Sequence, residues 1–163
     1  MKIKFNKITL FLIVGILLSI QINAQEIIPC KKITFKCAQI YGGNYFINND
    51  AIYHEIFQVR SPHPACLDYS FPVIDFSQYS LLGIVTSTGG CSAPKINYSV
   101  IKYSDNNYIY ELNIEQQGYC KVNFGVEVWC LIPKIADSCV VDFKINHSVN
   151  MTKRDSLLFF YNK

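Results

Sequence analysis

The sequence predicts a mainly β protein: an antiparallel, sandwich-like or strongly curved sheet with one short helix, stapled by disulfides. Three observations lead there. Apolar and polar residues alternate with period 2 through most of residues 72–146. Turn-forming pairs, Gly89-Gly90 and Asp105-Asn106, interrupt that alternation. All seven cysteines (30, 37, 66, 91, 120, 130 and 139) lie beyond an N-terminal export signal, so bridges are their default state.

The export signal spans 1–24. Lys2, Lys4 and Lys7 precede the apolar run from Ile8 to Ile20, and Gln21-Ile22-Asn23-Ala24 ends in a small residue. That thirteen-residue run falls short of the roughly 20 residues a spanning helix needs. Cleavage after Ala24 is therefore expected, leaving 25–163 as a single β-rich domain in the periplasm or outside the cell, with no stretch fit to span a bilayer. Cleavage removes three of the fifteen Lys and Arg and none of the twelve Asp and Glu, so the mature chain carries twelve charges of each sign. A neutral chain without a basic cluster has no surface for neutralising phosphates, which excludes nucleic acid as a partner.

Residues 25–71 hold the N-terminal strands and helix. Ile33-Thr34-Phe35 and Tyr45-Phe46-Ile47 read as short strands separated by a Gly42-Gly43-Asn44 turn. Asn49 or Asp50 caps a short helix over 50–59, in which Ile52, Ile56 and Val59, with Tyr53 and Phe57 alongside, recur at helical spacing. Pro62 and Pro64 stop it. Ser61 to Ser70 is a loop holding Cys66.

Residues 72–146 form the β core. Asp75-Phe76-Ser77 turns into a strand over Leu81 to Ser87, and Gly89-Gly90 reverses or bulges the chain. A two-residue turn at Asp105-Asn106 pairs Tyr103 with Tyr108 and Ile101 with Tyr110. An extra residue at Val100 then sets Tyr98 against Leu112 and Ile96 against Ile114, keeping both apolar rows on one face. Continued outward, this register brings Cys91 to within one residue of Cys120, and Gly118 can absorb the difference, so a Cys91–Cys120 bridge is expected. A second register sets Val128 against Val141, Val126 against Phe143 and Phe124 against Ile145. It places Cys130 opposite Cys139, a second expected bridge. Cys30, Cys37 and Cys66 then share one bridge at most and leave one thiol over; Cys37 and Cys66 are candidates, and the sequence does not decide which of the three pair. The tail, 147–163, runs from polar residues into Leu157-Leu158-Phe159-Phe160-Tyr161, read as a last edge strand.

Catalytic chemistry finds no foothold in the motifs. His54, His63 and His147 are scattered, no C-x2-C or H-x3-H pair suggests zinc, and no cysteine-protease signature, P-loop or G-x-G-x-x-G occurs. The expectation is a non-enzyme without metal or cofactor. Asn97-Tyr98-Ser99, Asn146-His147-Ser148 and Asn150-Met151-Thr152 match the N-glycosylation triplet. Eleven tyrosines leave room for a glycan-binding module built on exposed rings, although such rings more often fill a sheet's core.

At Ile74-Asp75-Phe76-Ser77, Leu81-Leu82-Gly83, Gly89-Gly90-Cys91 and Leu131-Ile132-Pro133-Lys134 the chain resembles small exported proteins of Bacteroidetes-type bacteria. Over about 72–145 it is distantly similar to the C-terminal domain of the protease-complex subunit PrcB, with a cysteine where that family tends to have Tyr after Gly-Gly. The resemblance implies a non-catalytic module that supports or stabilises a partner protein, and it transfers no active-site residue. Asp155-Ser156-Leu157 also resembles the O-glycosylation triplet of such bacteria.

Overall fold

The computed structural model describes residues 25–57, 63–67 and 69–150. The signal segment, Val59 and Pro62 of the expected helix stop, and the tail from Met151 onward lie outside them. The elements run β1 (Glu26–Ile28), β2 (Lys31–Ile33), β3 (Gly43–Ile47), α1 (Asp50–Ile56), a 3-10 turn (Pro64–Cys66), β4 (Tyr79–Ser104), β5 (Asn107–Pro133) and β6 (Val140–Asn150). All six strands belong to one sheet.

Two strands dominate. β4 has 26 residues and β5 has 27, and a straight strand of that length would reach roughly 85 Å at about 3.3 Å per residue. They fold back instead. Within β5 the Tyr110 hydroxyl donates to the Val128 carbonyl at 3.3 Å, although eighteen extended residues would separate them by roughly 60 Å. The bend lies where the β4–β5 ladder loses its register between Gly89 and Lys95. Gly118, across from it, takes a φ of 75°, which residues with a Cβ rarely adopt.

The bend divides the sheet into two halves. In the first, β4 pairs with the end of β5 from Tyr79↔Pro133 to Gly89↔Asn123, flanked by β3 and β2. In the second, β4 pairs with the start of β5 from Lys95↔Glu115 to Ser104↔Asn107, flanked by β1 and β6. Even-numbered side chains of both halves meet in one cluster: Leu82, Ile84, Val126, Val128 and Ile132 from the first, Val100, Tyr108, Tyr110, Leu112 and Ile114 from the second. The sheet's inner face is thus wrapped around its own core, as strict period-2 patterning allows. Burial holds the Tyr110 hydroxyl protonated far above the ordinary tyrosine range.

The outer face of the first half carries odd-numbered Leu81, Trp129 and Leu131, covered by α1. Asn49 caps that helix, its side chain accepting from the Ile52 backbone N–H at 2.9 Å. Helix packing differs from the expected stripe: Tyr53 and Phe57 are buried, whereas Ile52 is exposed. The Phe57 and Phe35 rings stack at 4.2 Å, and each lies 5.3 Å from Trp129. The Tyr53 hydroxyl donates to the Pro72 carbonyl at 2.7 Å, and burial pushes its pKa up to about 12.

Three registers differ from expectation. The Asp105-Asn106 turn, Tyr98↔Leu112 and Ile96↔Ile114 stand as expected, but Val100 pairs with Tyr110 and the irregularity falls at Tyr103. A bulge beside the turn leaves Val100 in the core, fully buried. Gly42-Gly43-Asn44 is not a turn; Gly43 already begins β3. The larger correction concerns β6, which runs parallel to the start of β5, with Val141↔Tyr108, Phe143↔Tyr110 and Ile145↔Leu112. Antiparallel pairing of β6 with Val128 is blocked because β4 occupies one edge of that segment and β2 the other at Trp129–Leu131.

The same correction moves the sulfurs. Cys130 bonds Cys30, not Cys139, and Cys139 is the free thiol. Cys37 joins Cys66 and Cys91 joins Cys120. Only Pro29 and Cys30 separate β1, which pairs with Val100–Lys102, from β2, which pairs with Trp129–Leu131. The chain therefore crosses from one half to the other at Cys30, and the bridge to Cys130, 100 residues away, locks that crossing. A loop of this length removes about 4.7 kcal/mol of unfolded-chain entropy on the loop-closure account.

A buried polar cluster secures the exit from β5. Asn48 donates through Nδ2 to the Ile135 carbonyl at 3.0 Å and to Asp137, and accepts from Ser80 Oγ. Ser80 Oγ accepts in turn from the Ile135 N–H, and Lys134 Nζ donates to the Asn48 carbonyl at 2.6 Å. Every member is satisfied, so the loop is held in the one direction that carries the chain to the second half.

Gly83 shows how tightly the outer cluster is packed: a Cβ there would lie 2.1 Å from Trp129 Cζ3. The ring cannot retreat, since Phe35 and Phe57 back it. Gly83→Ala is expected to cost about 1–3 kcal/mol, read as a lower urea midpoint followed by the fluorescence of Trp129, the single tryptophan. An unchanged midpoint would show that the ring has room to move.

Candidate functional site

Two surfaces present chemistry to solvent. The first is the outer face of the second half, where odd-numbered residues of β4 and β5 and even-numbered residues of β6 form polar rows. Asn97 pairs with Asn113 and Asn113 with Asn146; the flanking rows are Ser99, Glu111 and Lys144 on one side and Lys95, Glu115 and Ser148 on the other. The rows are cross-linked by side chains. Asn146 Nδ2 donates to Glu111 Oε1 at 2.7 Å and to Asn113 Oδ1 at 2.9 Å. Glu115 accepts from Asn150 at 2.7 Å, from Gln117 at 3.1 Å and from Lys95 at 3.2 Å. These bonds, Gln117's first, hold the Glu115 carboxyl below the usual carboxylate range.

The second surface is a groove of about 620 Å³ bordered by Gly43 and Asn44 of β3, Val85 to Ser87 of β4 and Ile145 of β6. β3 pairs only with β4, and β6 only with β5, among the described residues. Two strands with an unpaired edge therefore flank the groove. β6 adds eleven residues of edge, with Asp142 and Lys144 exposed along it and Val140 and Val149 exposed towards its ends.

The sequence-predicted groups are distributed differently. Cys91 and Cys120 are exposed at the bend, Cys37, Cys66 and Cys130 are buried, and Cys139 packs half-buried against the inner core. His54 lies exposed on α1 beside a cavity of about 480 Å³, His63 precedes the 3-10 turn, and His147 is exposed on β6. The tyrosines of the central hairpin serve the core: Tyr108 and Tyr110 are buried, Tyr98 and Tyr103 half-buried. Exposed rings belong to Tyr41, Tyr79 and Tyr119. On the outer face of the first half, Trp129 Nε1 donates to Glu127 Oε1 at 2.6 Å, while partial burial raises the Glu127 pKa.

The asparagine row was readable only in part. Asn97 and Asn146 stand out in the sequence as glycosylation triplets, and Lys95, Asn97 and Ser99 with Glu111, Asn113 and Glu115 are visibly polar at alternate positions of the Asp105-Asn106 hairpin. Asn146 enters the row through the parallel strand, which the register argument placed elsewhere.

The depressed Glu115 pKa has a defined consequence for pH. A carboxyl whose folded pKa lies below its unfolded value of 4.5 stabilises the fold above that pH, and the contribution disappears as pH falls through the folded value. Glu115→Gln is expected to flatten the acid limb of the stability profile below pH 4.5, measured by urea unfolding at successive pH values. Parallel acid limbs in parent and variant would show that the row does not hold this carboxylate. Comparison of the chain with protein-family models, with curated proteins and with solved structures finds no match.

Proposed function

We propose that this protein is an exported, non-catalytic interaction module that receives an extended segment of a partner protein between its two unpaired strand edges. The groove between β3 and β6 carries the reading. Strand edges offer rows of main-chain N–H and C=O groups that an added strand satisfies, while side-chain pockets set its specificity. Gly42 and Gly43 leave the backbone open at one wall, Ile145 supplies an apolar contact at the other, and Asn44, Thr86 and Ser87 supply polar ones.

Three disulfides point to an oxidising, exported compartment, and no helix among the described residues is long and apolar enough to cross a membrane. Between the two exported locations, the periplasm suits the partner-supporting role that the PrcB-like resemblance implies. A second reading, glycan binding, is favoured by the exposed rings of Tyr41 and Tyr119. A glycan array in which Tyr41→Ala and Tyr119→Ala abolish a signal would support it over the first.

A photo-crosslinking residue placed at Ile145 or Ser87 in the producing cell is expected to yield a discrete protein adduct. The same residue at Asn97, on the outer polar face, is expected to yield none. Equal labelling from all three positions, or no adduct from the groove, would overturn the strand-addition reading.

A further inference from the structure

The three disulfides differ in what surrounds them. Cys30–Cys130 ties the crossing between the halves, with Cys130 fully buried and Cys30 half-buried, and Cys37 and Cys66 are both buried. Cys91 and Cys120 are both exposed, and neither belongs to an apolar cluster. They sit at the bend, where the ladder is thinnest: of residues 91–94, Ser92 is the one with a β5 partner, and Gly90 and Gly118 lie on either side. Each half keeps its own ladder beyond the bend, broken in the second half by the bulge at Tyr103.

We propose that Cys91–Cys120 is an exchangeable disulfide on the folded protein, a site where an external dithiol acts at the corner of the sheet while both cores stay intact. Exchange needs in-line access of a thiolate to sulfur, which exposure grants here and burial denies at Cys130, Cys37 and Cys66. The inference stands apart from the partner-strand reading, since it rests on the bend and not on the groove.

The geometry also assigns the two sulfurs. The Cys120 backbone N–H donates to Cys91 Sγ at 3.2 Å, and an N–H bond stabilises a thiolate more than a thiol. Cys91 is therefore the leaving group. The incoming thiolate attacks Cys120 Sγ; the Cys120–Cys91 bond breaks as the new S–S bond forms, and Cys91 departs with the electron pair. The second thiol of the reductant, as thiolate, then attacks its own sulfur in the mixed disulfide and releases Cys120. The dithiol ends as a disulfide, two electrons having passed to the protein sulfurs, and water supplies the protons that the two thiolates take up.

The test is graded dithiothreitol treatment of the exported chain without denaturant, beside a Cys139→Ser variant that lacks the free thiol. Samples are quenched with N-ethylmaleimide, mapped by mass spectrometry and followed by Trp129 fluorescence. Cys91 and Cys120 are expected to become alkylated at least tenfold faster than the other bridged cysteines, with tryptophan emission unchanged. Replacing dithiothreitol by glutathione, which resolves its adducts slowly, is expected to trap the adduct on Cys120. Equal opening of all three bridges, earlier opening of either buried one, opening that tracks a change in tryptophan emission, or an adduct mainly on Cys91 would each overturn the assignment.

Discussion

The constraint on which this fold depends is the continuity of one apolar row along two strands too long to lie straight. On either side of the bend, even-numbered apolar residues of β4 and β5 from Leu82 to Ile132 face a single core, and no domain of this size is thick enough to bury such a row extended. Burying it requires the strands to turn their shared face inward on itself. The Tyr110 to Val128 hydrogen bond is the local signature of that closure. Everything peripheral follows: β1 and β2 cross between the halves, β6 covers the second half with Val141, Phe143 and Ile145, and α1 is needed only over the first half, where the odd face is apolar too.

What the sequence made legible tracks the range of the interaction. A two-residue turn with apolar rows on both sides determines its hairpin register locally, so Tyr98↔Leu112 and the approach of Cys91 to Cys120 could be read directly. The bulge moved from Val100 to Tyr103 because parity demands one extra residue somewhere between the turn and Tyr98 and is silent about where. Burial of Val100 decides it, and burial is a tertiary fact.

The misplacement of β6 has a different origin. Val141, Phe143 and Ile145 match any even-numbered apolar row, and both Tyr108-Tyr110-Leu112 and Val128-Val126-Phe124 qualify. Period 2 cannot distinguish a parallel match from an antiparallel one. The decision is topological: β5 beyond the bend is already paired on both edges at Trp129–Leu131, and the Asn48–Ser80 cluster directs the chain away from it. The groove suffers the same limit, since its walls come from β3, β4 and β6, segments that the sequence separates by about forty to a hundred residues.

The sulfur pairing shows how strongly that topology is enforced. Cys139 lies nine residues from Cys130 and Cys30 lies 100 away, so in an unfolded chain the near partner is favoured by roughly 2 kcal/mol of closure entropy, from the three-halves RT ln n dependence. Spacing thus argues for Cys130–Cys139, and so does the expected antiparallel register of Val128 with Val141. The folded protein selects the distant partner because the β1 and β2 ladders bring Cys30, between them, to the inner core beside Cys130, while the parallel placement of β6 carries Cys139 to the Asn107 end of the second half. The pairing is thus decided by tertiary structure and not by proximity along the chain. The bond fits the arrangement that the backbone ladders and the apolar core define.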